Sequence, residues 1–236
     1  MNIIEVSLIS YPEEAELIAN IAAVICYSEE AELERVKQKA KLKKEEYLCK
    51  IIESGHLSII EHNIFVFHVS GVSRVLSHQL VRKRIASYSQ QSQRYVNASS
   101  FSFITPKTIT ESGMKEEYEN KINELFVFYN KLVEKGIPKE DARYILPNST
   151  STQLVVSMNA HALIDFFASR CCTRAQWEIR ELANKMLNEV KKVAPVLFKK
   201  AGAFCDFYGY CPENEKTCGR APTLEQLKKY WEQDLK

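Results

Sequence analysis

The chain has 236 residues, of which 45% are hydrophobic and 26% are charged, a composition that excludes a disordered or fibrous protein. Its 32 Lys and Arg against 30 Asp and Glu give a formal net charge of +2, so the whole molecule exerts no strong electrostatic attraction on nucleic acid or membrane. The length predicts one domain over residues 1–236, with an irregular C-terminal appendage over 202–236.

The N-terminus and the cysteines favour a cytoplasmic protein. The first residues lack the basic start and long apolar core of a signal peptide, and no apolar run is long enough to span a bilayer. Seven cysteines without an export signal predict free thiols, because cytosolic redox buffers oppose structural disulfides. We therefore expect cytoplasmic localisation and no membrane partner.

A strand and a helix are predicted at the N-terminus. Apolar residues alternate with polar ones from Ile4 to Leu8, as in a half-buried strand. Ser10 and Glu13 have the spacing of a capping box, so a helix should follow with apolar positions up to Val24.

The next stretch predicts a helix, a strand and a second helix. Residues 29–54 are rich in Lys and Glu and indicate one surface helix ended by Gly55. The apolar run 64–69 predicts a buried strand, and Ser73 is placed to cap a helix that continues through Arg84.

Helices dominate the prediction for the remainder, after a polar loop over 87–100. Apolar residues at helical spacing predict a long core-packing helix over 114–135, and two further helices over 159–170 and 174–193. A short amphipathic helix is expected from Thr223.

The densest polar cluster runs over residues 82–95 and is called the basic strip. It interleaves four cations with hydroxyl and amide side chains, where a predicted helix passes into a loop. The planar fork of Arg donors matches phosphate oxygens, and Ser and Gln add neutral donors, so the basic strip predicts a nucleotide phosphate site. The alternative is a solvated basic helix end that interacts favourably with the helix dipole.

The basic strip contains a motif with a known likeness. Arg82-Lys83-Arg84, followed by seven residues and Ser92, resembles the Arg-His-Arg-x7-Ser signature of flavin-dependent thymidylate synthases, with Lys83 in place of the histidine. Three further blocks resemble the same family in the same order: Gly55-His56-Leu57-Ser58 with Glu61-His62, Asp141 to Pro147, and Asn159 to Glu178.

The resemblance implies two sets of binding residues. The nucleotide would be held by Gln79, Arg82, Gln90, Gln91, Ser92, Gln93, Arg94, Arg143 and Arg170. The flavin would be lined by Ser58, Arg82, Lys83, Arg84, Gln90, Asn159, Ala160, His161 and Asp165. Arg170 would be the catalytic residue, because a permanent cation beside the pyrimidine stabilises the negative charge that develops on the ring. No metal site is implied.

The resemblance also implies the fold, the reaction and the assembly. The fold would be α+β, with a small mostly antiparallel sheet packed by several helices. The reaction would methylate dUMP to dTMP, with bound FAD, methylenetetrahydrofolate as carbon donor and NADPH as reductant. The family forms a homotetramer with shared active sites, so the partners expected are a dUMP-type nucleotide and three further copies, with no nucleic acid.

Two absences from the sequence agree with this interpretation. The chain lacks a Pro-Cys pair, which typically supplies the nucleophile in the other class of thymidylate synthase. Its seven glycines nowhere form Gly-x-Gly-x-x-Gly, which excludes a Rossmann-type flavin platform. A flavin would have to be held by side chains and by backbone N–H groups at the helix start at Asn159.

Departures from the family pattern keep alternatives open. Lys83 retains a cation but lacks the planar ring of histidine, Leu57 replaces a usual Glu, and His161 replaces a usual Arg. One alternative is a methylase of another pyrimidine nucleotide, such as UMP. Another is a degenerate, non-catalytic paralogue that binds nucleotide or nucleic acid through the basic strip and its aromatic residues.

The cysteines and the other histidines are interpreted as structural. Cys205, Cys211 and Cys218 could bind zinc with a fourth ligand, but they lack the Cys-x-x-Cys spacing of strong zinc sites, so no metal is predicted. Cys171 and Cys172 are expected to pack as small apolar residues. Structural roles are also assigned to His62, His68 and His78.

Overall fold

The computed structural model describes residues 4–97 and 101–234. Within these ranges it has one open, antiparallel sheet of four strands and eleven α-helices. The strand order is β1-β2-β4-β3, with β1 at Glu5–Ser10, β2 at Ile64–Ser73, β3 at Ser87–Gln90 and β4 at Ser151–Asn159. The predicted α+β class is confirmed.

The helices lie between successive strands and after the last strand. They are α1 (Ala15–Ile25), α2 (Leu33–Lys41), α3 (Glu45–Glu53), α4 (Arg74–Leu80), α5 (Lys107–Glu111), α6 (Lys115–Glu134), α7 (Lys139–Ala142), α8 (Ala160–Arg170), α9 (Trp177–Val193), α10 (Phe204–Tyr208) and α11 (Leu224–Asp234). Short 3-10 turns lie at Leu57–Ile60, Arg143–Ile145 and Asn214–Lys216. No described helix combines the length and the apolar character needed to cross a membrane.

The described chain divides into two compact units. The first unit lies within residues 1–7 and 68–156, and the second within 8–67 and 157–236. Strands β1, β2 and β4 each continue along the chain from one unit into the other. The organisation as a single domain stays a prediction.

Both central strands pass directly into a capped helix. The side chain of Ser73, the last residue of β2, accepts a hydrogen bond from the N–H of Leu76 at 3.0 Å. Asn159 ends β4 and accepts from the N–H of Ala162 at 2.8 Å. Each cap satisfies a helix donor that has no partner within its own helix. Helix α4 then leads into the basic strip, and α8 ends at Arg170.

Aromatic packing forms the centre of the second unit. The rings of Phe65 and Phe167 lie 5.3 and 6.2 Å from the ring of Phe198, both in edge-to-face geometry. All three side chains are fully buried. Val24 of α1 and Val36 of α2 form a smaller apolar cluster in this unit.

The first unit has its core along α6, where Tyr129 is fully buried against Ala142. The ring of Phe103 packs against Tyr118 at 6.4 Å and Phe126 at 6.2 Å. The predicted helix over 114–135 is therefore confirmed as a helix that buries one face.

The single surface helix predicted over 29–54 is wrong, because the chain forms α2 and α3 with a break at 42–44. Lys39 and Lys41 occupy the last turn of α2, and Glu45 and Glu46 occupy the first turn of α3. Basic residues at a helix C-terminus and acidic residues at an N-terminus both favour the helix dipole, so two helices use this charge order better than one.

The structure corrects three other boundaries. The helix after Ser73 ends at Leu80, and the polar stretch predicted as a loop begins with β3; residues 98–100 lie outside the described residues. Helix α9 begins at Trp177, because the Gln176 side chain accepts from the N–H groups of the first turn at 2.9 and 3.2 Å. Helix α1 lacks a side-chain cap, so the predicted capping box does not form there.

Candidate functional site

A polar pocket in the first unit is lined by two of the predicted nucleotide-binding residues. Gln93 and Arg143 line this cavity of about 250 Å³, and Arg74 and His78 of α4 line it with them. None of the residues that line the polar pocket is an Asp or a Glu. The cavity therefore gathers positive charge without a carboxylate in its wall.

Arg74 is a lining residue of the polar pocket whose pKa is shifted by its surroundings. Its Nη2 donates to Oε1 of Gln93 at 3.4 Å, and its side chain is partly buried. Burial, together with the charge of Arg143, lowers the pKa of Arg74 from its ordinary value. Two like charges that are partly removed from water repel each other, and a bound anion would relieve this repulsion.

The backbone orients the second arginine of the polar pocket. Arg143 lies in the 3-10 turn after α7, and its Nε donates to the carbonyl oxygen of Glu140 at 3.0 Å. That bond does not use the terminal amino groups of the guanidinium, which are the donors suited to a bidentate contact with phosphate.

Arg74 was not among the binding residues predicted from the sequence, and His78 was predicted to be structural. Both lie on α4, four residues apart, and so occupy the same helix face. This spacing was the one signal in the sequence that could have placed them beside the basic strip.

Tyr88 holds the turn that carries Arg82, Lys83 and Arg84. Its hydroxyl lies 2.9 Å from the carbonyl oxygen of Leu80 and 2.7 Å from that of Lys83. Burial raises the pKa of Tyr88 to about 12, so the hydroxyl stays a donor at neutral pH. Arg82 and Arg84 are exposed, whereas Lys83 is partly buried. This role of Tyr88 was also not predicted from the sequence.

The glutamines of the predicted nucleotide set are placed by different elements. Gln79 lies in the last turn of α4. Gln90 ends β3 and its Nε2 donates to the hydroxyl of Thr152 on β4 at 3.2 Å. The N–H of Gln91 donates to the carbonyl oxygen of Gln153 at 3.0 Å. The pairing of β3 with β4 thus fixes the middle of the basic strip.

Arg94 differs from the arginines of the polar pocket because it is paired with a carboxylate. Its Nη2 lies 2.7 Å from Oε2 of Glu140, and both side chains are about half exposed. The Ser92 hydroxyl accepts from the N–H of Arg94 at 3.2 Å. The charge of Arg94 is therefore already neutralised at the surface.

In the second unit the start of α8 carries three predicted flavin residues. Ala160 donates its N–H to the carbonyl oxygen of Asn63 at 2.8 Å, and the His161 ring nitrogen Nδ1 lies 2.7 Å from Oε1 of Glu61. Ser58 lies in the 3-10 turn Leu57–Ile60, which packs against α8. The structure therefore brings the Ser58 turn to the start of α8.

The chain itself already uses part of this helix start. Among the described residues, the Asn159 side chain takes the N–H of Ala162, and Asn63 takes that of Ala160. Helix α8 thus offers fewer backbone donors to a phosphate than its sequence suggested. The His161–Glu61 pair lies at the same helix start, and its polar groups can donate and accept hydrogen bonds to a heterocycle.

The far end of α8 carries the other two predicted residues. Arg170 is partly buried in the last turn, and Asp165 is exposed one and a half turns earlier. Asp165 lines a cavity of about 400 Å³, called the thiol pocket, together with Ser169 of the same helix and Cys172, which lies beyond the end of α8. The predicted nucleotide residues other than Arg170 lie in the first unit, and the flavin set is divided between the two units.

Within residues 4–97 and 101–234, no three His, Cys, Asp or Glu side chains meet in an arrangement that could hold a metal ion. Cys205, Cys211 and Cys218 instead line the thiol pocket. The structure therefore gives no support to zinc at these cysteines.

Known proteins match this chain over most of its length. A family model described as "Thymidylate synthase complementing protein" matches residues 7–196. A flavin-dependent thymidylate synthase of Clostridium tetani is 44% identical, covering 95% of this chain and 96% of the relative. Proteins of the same name from Geobacter sulfurreducens and Pyrococcus furiosus are 42% and 38% identical. They cover 94% and 97% of this chain, and 97% of each relative.

Matches of this identity and coverage confirm the family that the sequence motifs indicated. The chain belongs to the family of flavin-dependent thymidylate synthases.

Proposed function

We propose that this chain is an enzyme that methylates dUMP to dTMP with FAD as its flavin, methylenetetrahydrofolate as carbon donor and NADPH as reductant. Membership of the family supports thymidylate synthesis and a flavin. The observation that carries the assignment of the substrate end is the polar pocket, whose arginines face no lining carboxylate.

The polar pocket is suited to the phosphate of the nucleotide. Arg143 and Arg74 supply the charge, and Gln93 supplies a neutral side chain held by Arg74. Hydrogen bonds from guanidinium to phosphate are charge-assisted and are stronger than those between neutral groups. Binding would also reduce the repulsion between the two arginines, so the nucleotide phosphate is the anion that we assign to this pocket.

Arg170 has the chemistry required beside the pyrimidine ring. Carbon 5 of the ring must become nucleophilic, and negative charge then develops along the N3 and O4 edge. A guanidinium stays protonated throughout and stabilises this charge. We assign this catalytic role to Arg170. We assign the binding of the nucleotide to Gln79 of α4 and to five residues of the basic strip, which are Arg82, Gln90, Gln91, Ser92 and Arg94.

The cysteine next to Arg170 is unsuited to covalent catalysis. Cys171 is buried, and burial raises the pKa of its thiol to about 12. A thiol in this state supplies almost no thiolate at neutral pH. The environment of Cys171 therefore supports activation of the ring by charge stabilisation and not by cysteine attack.

The residues that we assign to the flavin lie in two parts of the chain, the basic strip and the second unit. Arg82, Lys83, Arg84 and Gln90 would hold it from the basic strip, and Ser58, Asn159, Ala160, His161 and Asp165 from the second unit. When bound, the reduced flavin supplies the hydride that completes the methyl group. The protein's own part would be to orient the ring, and we assign this role to the His161–Glu61 pair, whose polar groups can form hydrogen bonds.

Further parts of the proposal concern the whole protein. We propose a single domain, a cytoplasmic location and a homotetramer whose active sites are shared between subunits. The alternatives of a UMP methylase, a non-catalytic paralogue and a nucleic-acid-binding protein gain no support from the relatives, which carry the thymidylate synthase name.

The test uses the purified full chain. We expect flavin absorbance, and NADPH-dependent formation of dTMP from dUMP in the presence of methylenetetrahydrofolate, with no methylation of UMP run in parallel. A preparation that stays colourless after incubation with FAD and forms no dTMP would overturn the proposal. Replacing NADPH by NADH tests the choice of reductant separately.

A further inference from the structure

Two backbone acceptors on the wall of the polar pocket are already engaged within the chain. The carbonyl oxygen of Pro147 accepts from the N–H of Thr150 at 3.0 Å and from the Thr150 hydroxyl at 2.6 Å. The carbonyl oxygen of Asn148 accepts from the N–H of Val75 at 3.1 Å, which ties the start of α4 to this wall. These lone pairs are occupied, so they do not oppose an anion in the cavity.

Arg74 fixes the orientation of the Gln93 amide. A guanidinium has donors only, so the Gln93 atom that lies 3.4 Å from Nη2 of Arg74 is the oxygen Oε1. The hydrogen bond engages this oxygen, and the other end of the amide is the Nε2 group with its two donors. Gln93 lines the cavity, and it therefore meets a ligand there as a donor.

His78 adds a further donor from the same helix face as Arg74. The two residues lie four apart on α4, and both line the polar pocket. An imidazole donates from one ring nitrogen when it is neutral and from both when it is protonated. A ligand in the cavity can therefore accept a hydrogen bond from His78 in either state of the ring.

The polar pocket thus combines three kinds of donor, which are the guanidinium groups of Arg74 and Arg143, the amide of Gln93 and the imidazole of His78. A phosphate monoester has three terminal oxygens that accept hydrogen bonds, whereas a diester has two. We propose that His78 is a specificity residue that, beside Gln93, requires the phosphate to be a terminal monoester. This inference rests on the proposed function, because it concerns the phosphate of the same nucleotide.

Esterification of one terminal oxygen changes two properties of the phosphate. It removes one acceptor and one negative charge, since the second ionisation of a monoester lies at about pH 6 and a diester does not have it. A donor that faces an ester carbon gives up its hydrogen bond to water and gains none, which weakens binding. A uracil nucleotide that is joined to a nucleic acid through a phosphodiester would be rejected for the same reason.

The experiment compares two ligands that differ by one methyl group, dUMP and its 5′-phosphate methyl ester. Binding to the full wild-type chain with FAD is measured by calorimetry at neutral pH, without folate or NADPH, so that no turnover occurs. We expect dUMP to bind about 10- to 100-fold more tightly than the ester. Equal dissociation constants would overturn this inference and leave the proposed function standing. Absence of dUMP binding would overturn both.

A substitution at His78 tests its share of the preference. His78→Leu removes the donor, so it should weaken binding of dUMP about tenfold and binding of the methyl ester less than about twofold. His78→Gln keeps a donor and should restore most of the preference for dUMP. An equal loss for both ligands in His78→Leu would overturn the role of His78 in specificity.

His68→Leu is the matched control for the loss of an imidazole. His68 lies on β2 in the same unit, and it is not among the residues that line the polar pocket. Both dissociation constants should stay at their wild-type values in this variant. A loss of preference for dUMP as large as that in His78→Leu would overturn the assignment to His78. The wild-type comparison of the two ligands does not need a variant that folds.

Discussion

The polar pocket and the thiol pocket both contain arginines, but they balance the charge of these residues differently. Arg74 and Arg143 line the polar pocket without a carboxylate in its wall. In the thiol pocket Arg174 lies 3.0 Å from Glu213, and Arg220 lies 3.4 Å from Asp206. Paired arginines orient neighbouring groups, whereas arginines that face each other in a partly desolvated cavity favour an incoming anion.

The number of arginines in a pocket does not by itself identify a phosphate site. Burial and the positions of carboxylates decide whether the positive charge is available. This difference leads us to assign the nucleotide phosphate to the polar pocket of the first unit.

The largest expected effect concerns the cation at the end of α8. Arg170→Ala should lower kcat for dTMP formation by about 100- to 1000-fold, the usual loss when a group that stabilises developing charge is removed. Flavin absorbance should persist. Arg170→Lys keeps the charge without the planar fork, so it should retain more activity than Arg170→Ala. Unchanged kcat in Arg170→Ala would remove Arg170 from the chemistry.

The next prediction tests the anion preference of the polar pocket. Arg143→Ala or Arg74→Ala should raise the KM for dUMP by about 10- to 100-fold with a smaller change in kcat, because each removes charge-assisted hydrogen bonds worth roughly 1.5–3 kcal/mol. Steady-state kinetics at two salt concentrations would measure this. Lys131→Ala, at an exposed position of α6, is the control for loss of one positive charge. An equal effect of Lys131→Ala would point to net charge and not to the pocket.

A smaller effect is expected from the residue that holds the turn of the basic strip. Tyr88→Phe should raise the KM for dUMP several-fold and lower the free energy of unfolding by about 1 kcal/mol, the usual value of one hydrogen bond. Tyr118→Phe is the matched control, since its hydroxyl donates to the carbonyl oxygen of Ile104 at 3.3 Å elsewhere in the same unit. If both variants changed KM equally, the effect would not be specific to the turn.

Tyr88 also gives a prediction for alkaline pH. Its pKa rises from 10.0 to about 12 on burial, so the unfolded chain releases this proton first. The stabilising contribution of Tyr88 is complete below pH 10 and is lost as the pH rises from 10 to 12. Denaturation curves over this range should show a smaller loss of stability in Tyr88→Phe than in the wild type. Parallel losses in the two proteins would contradict the assignment.

The smallest effect concerns the arginine that is already neutralised. Glu140→Gln should lower the KM for dUMP by about two- to fivefold, because exposed ion pairs contribute roughly 0.2–1 kcal/mol. Without this pair, the positive charge of Arg94 is available to the nucleotide. Glu111→Gln removes the comparable surface pair with Lys107 and should leave KM unchanged. A rise in KM for Glu140→Gln would show that Glu140 orients Arg94 for binding.

Much of the fold was predictable where the pattern is local. The period of apolar residues located β2, α6 and α8, and the side chains of Ser73 and Asn159 marked two helix starts. The break between α2 and α3 and the short polar strand β3 were missed, because neither interrupts or creates an apolar period. Strand β3 depends on pairing with β4, which is a contact between segments distant in sequence.

The motifs in the sequence were sufficient to indicate the family, and through it the α+β class and the residues that resemble the family's motifs, since motifs depend only on residue order. Which charges remain available became clear only from the folded arrangement. It placed Arg74 beside Arg143, paired Arg94 with Glu140, and aimed the Tyr88 hydroxyl at the turn of the basic strip. The physical reason is that burial and electrostatic pairing depend on distance in space, and residues far apart along the chain establish these distances only when it folds.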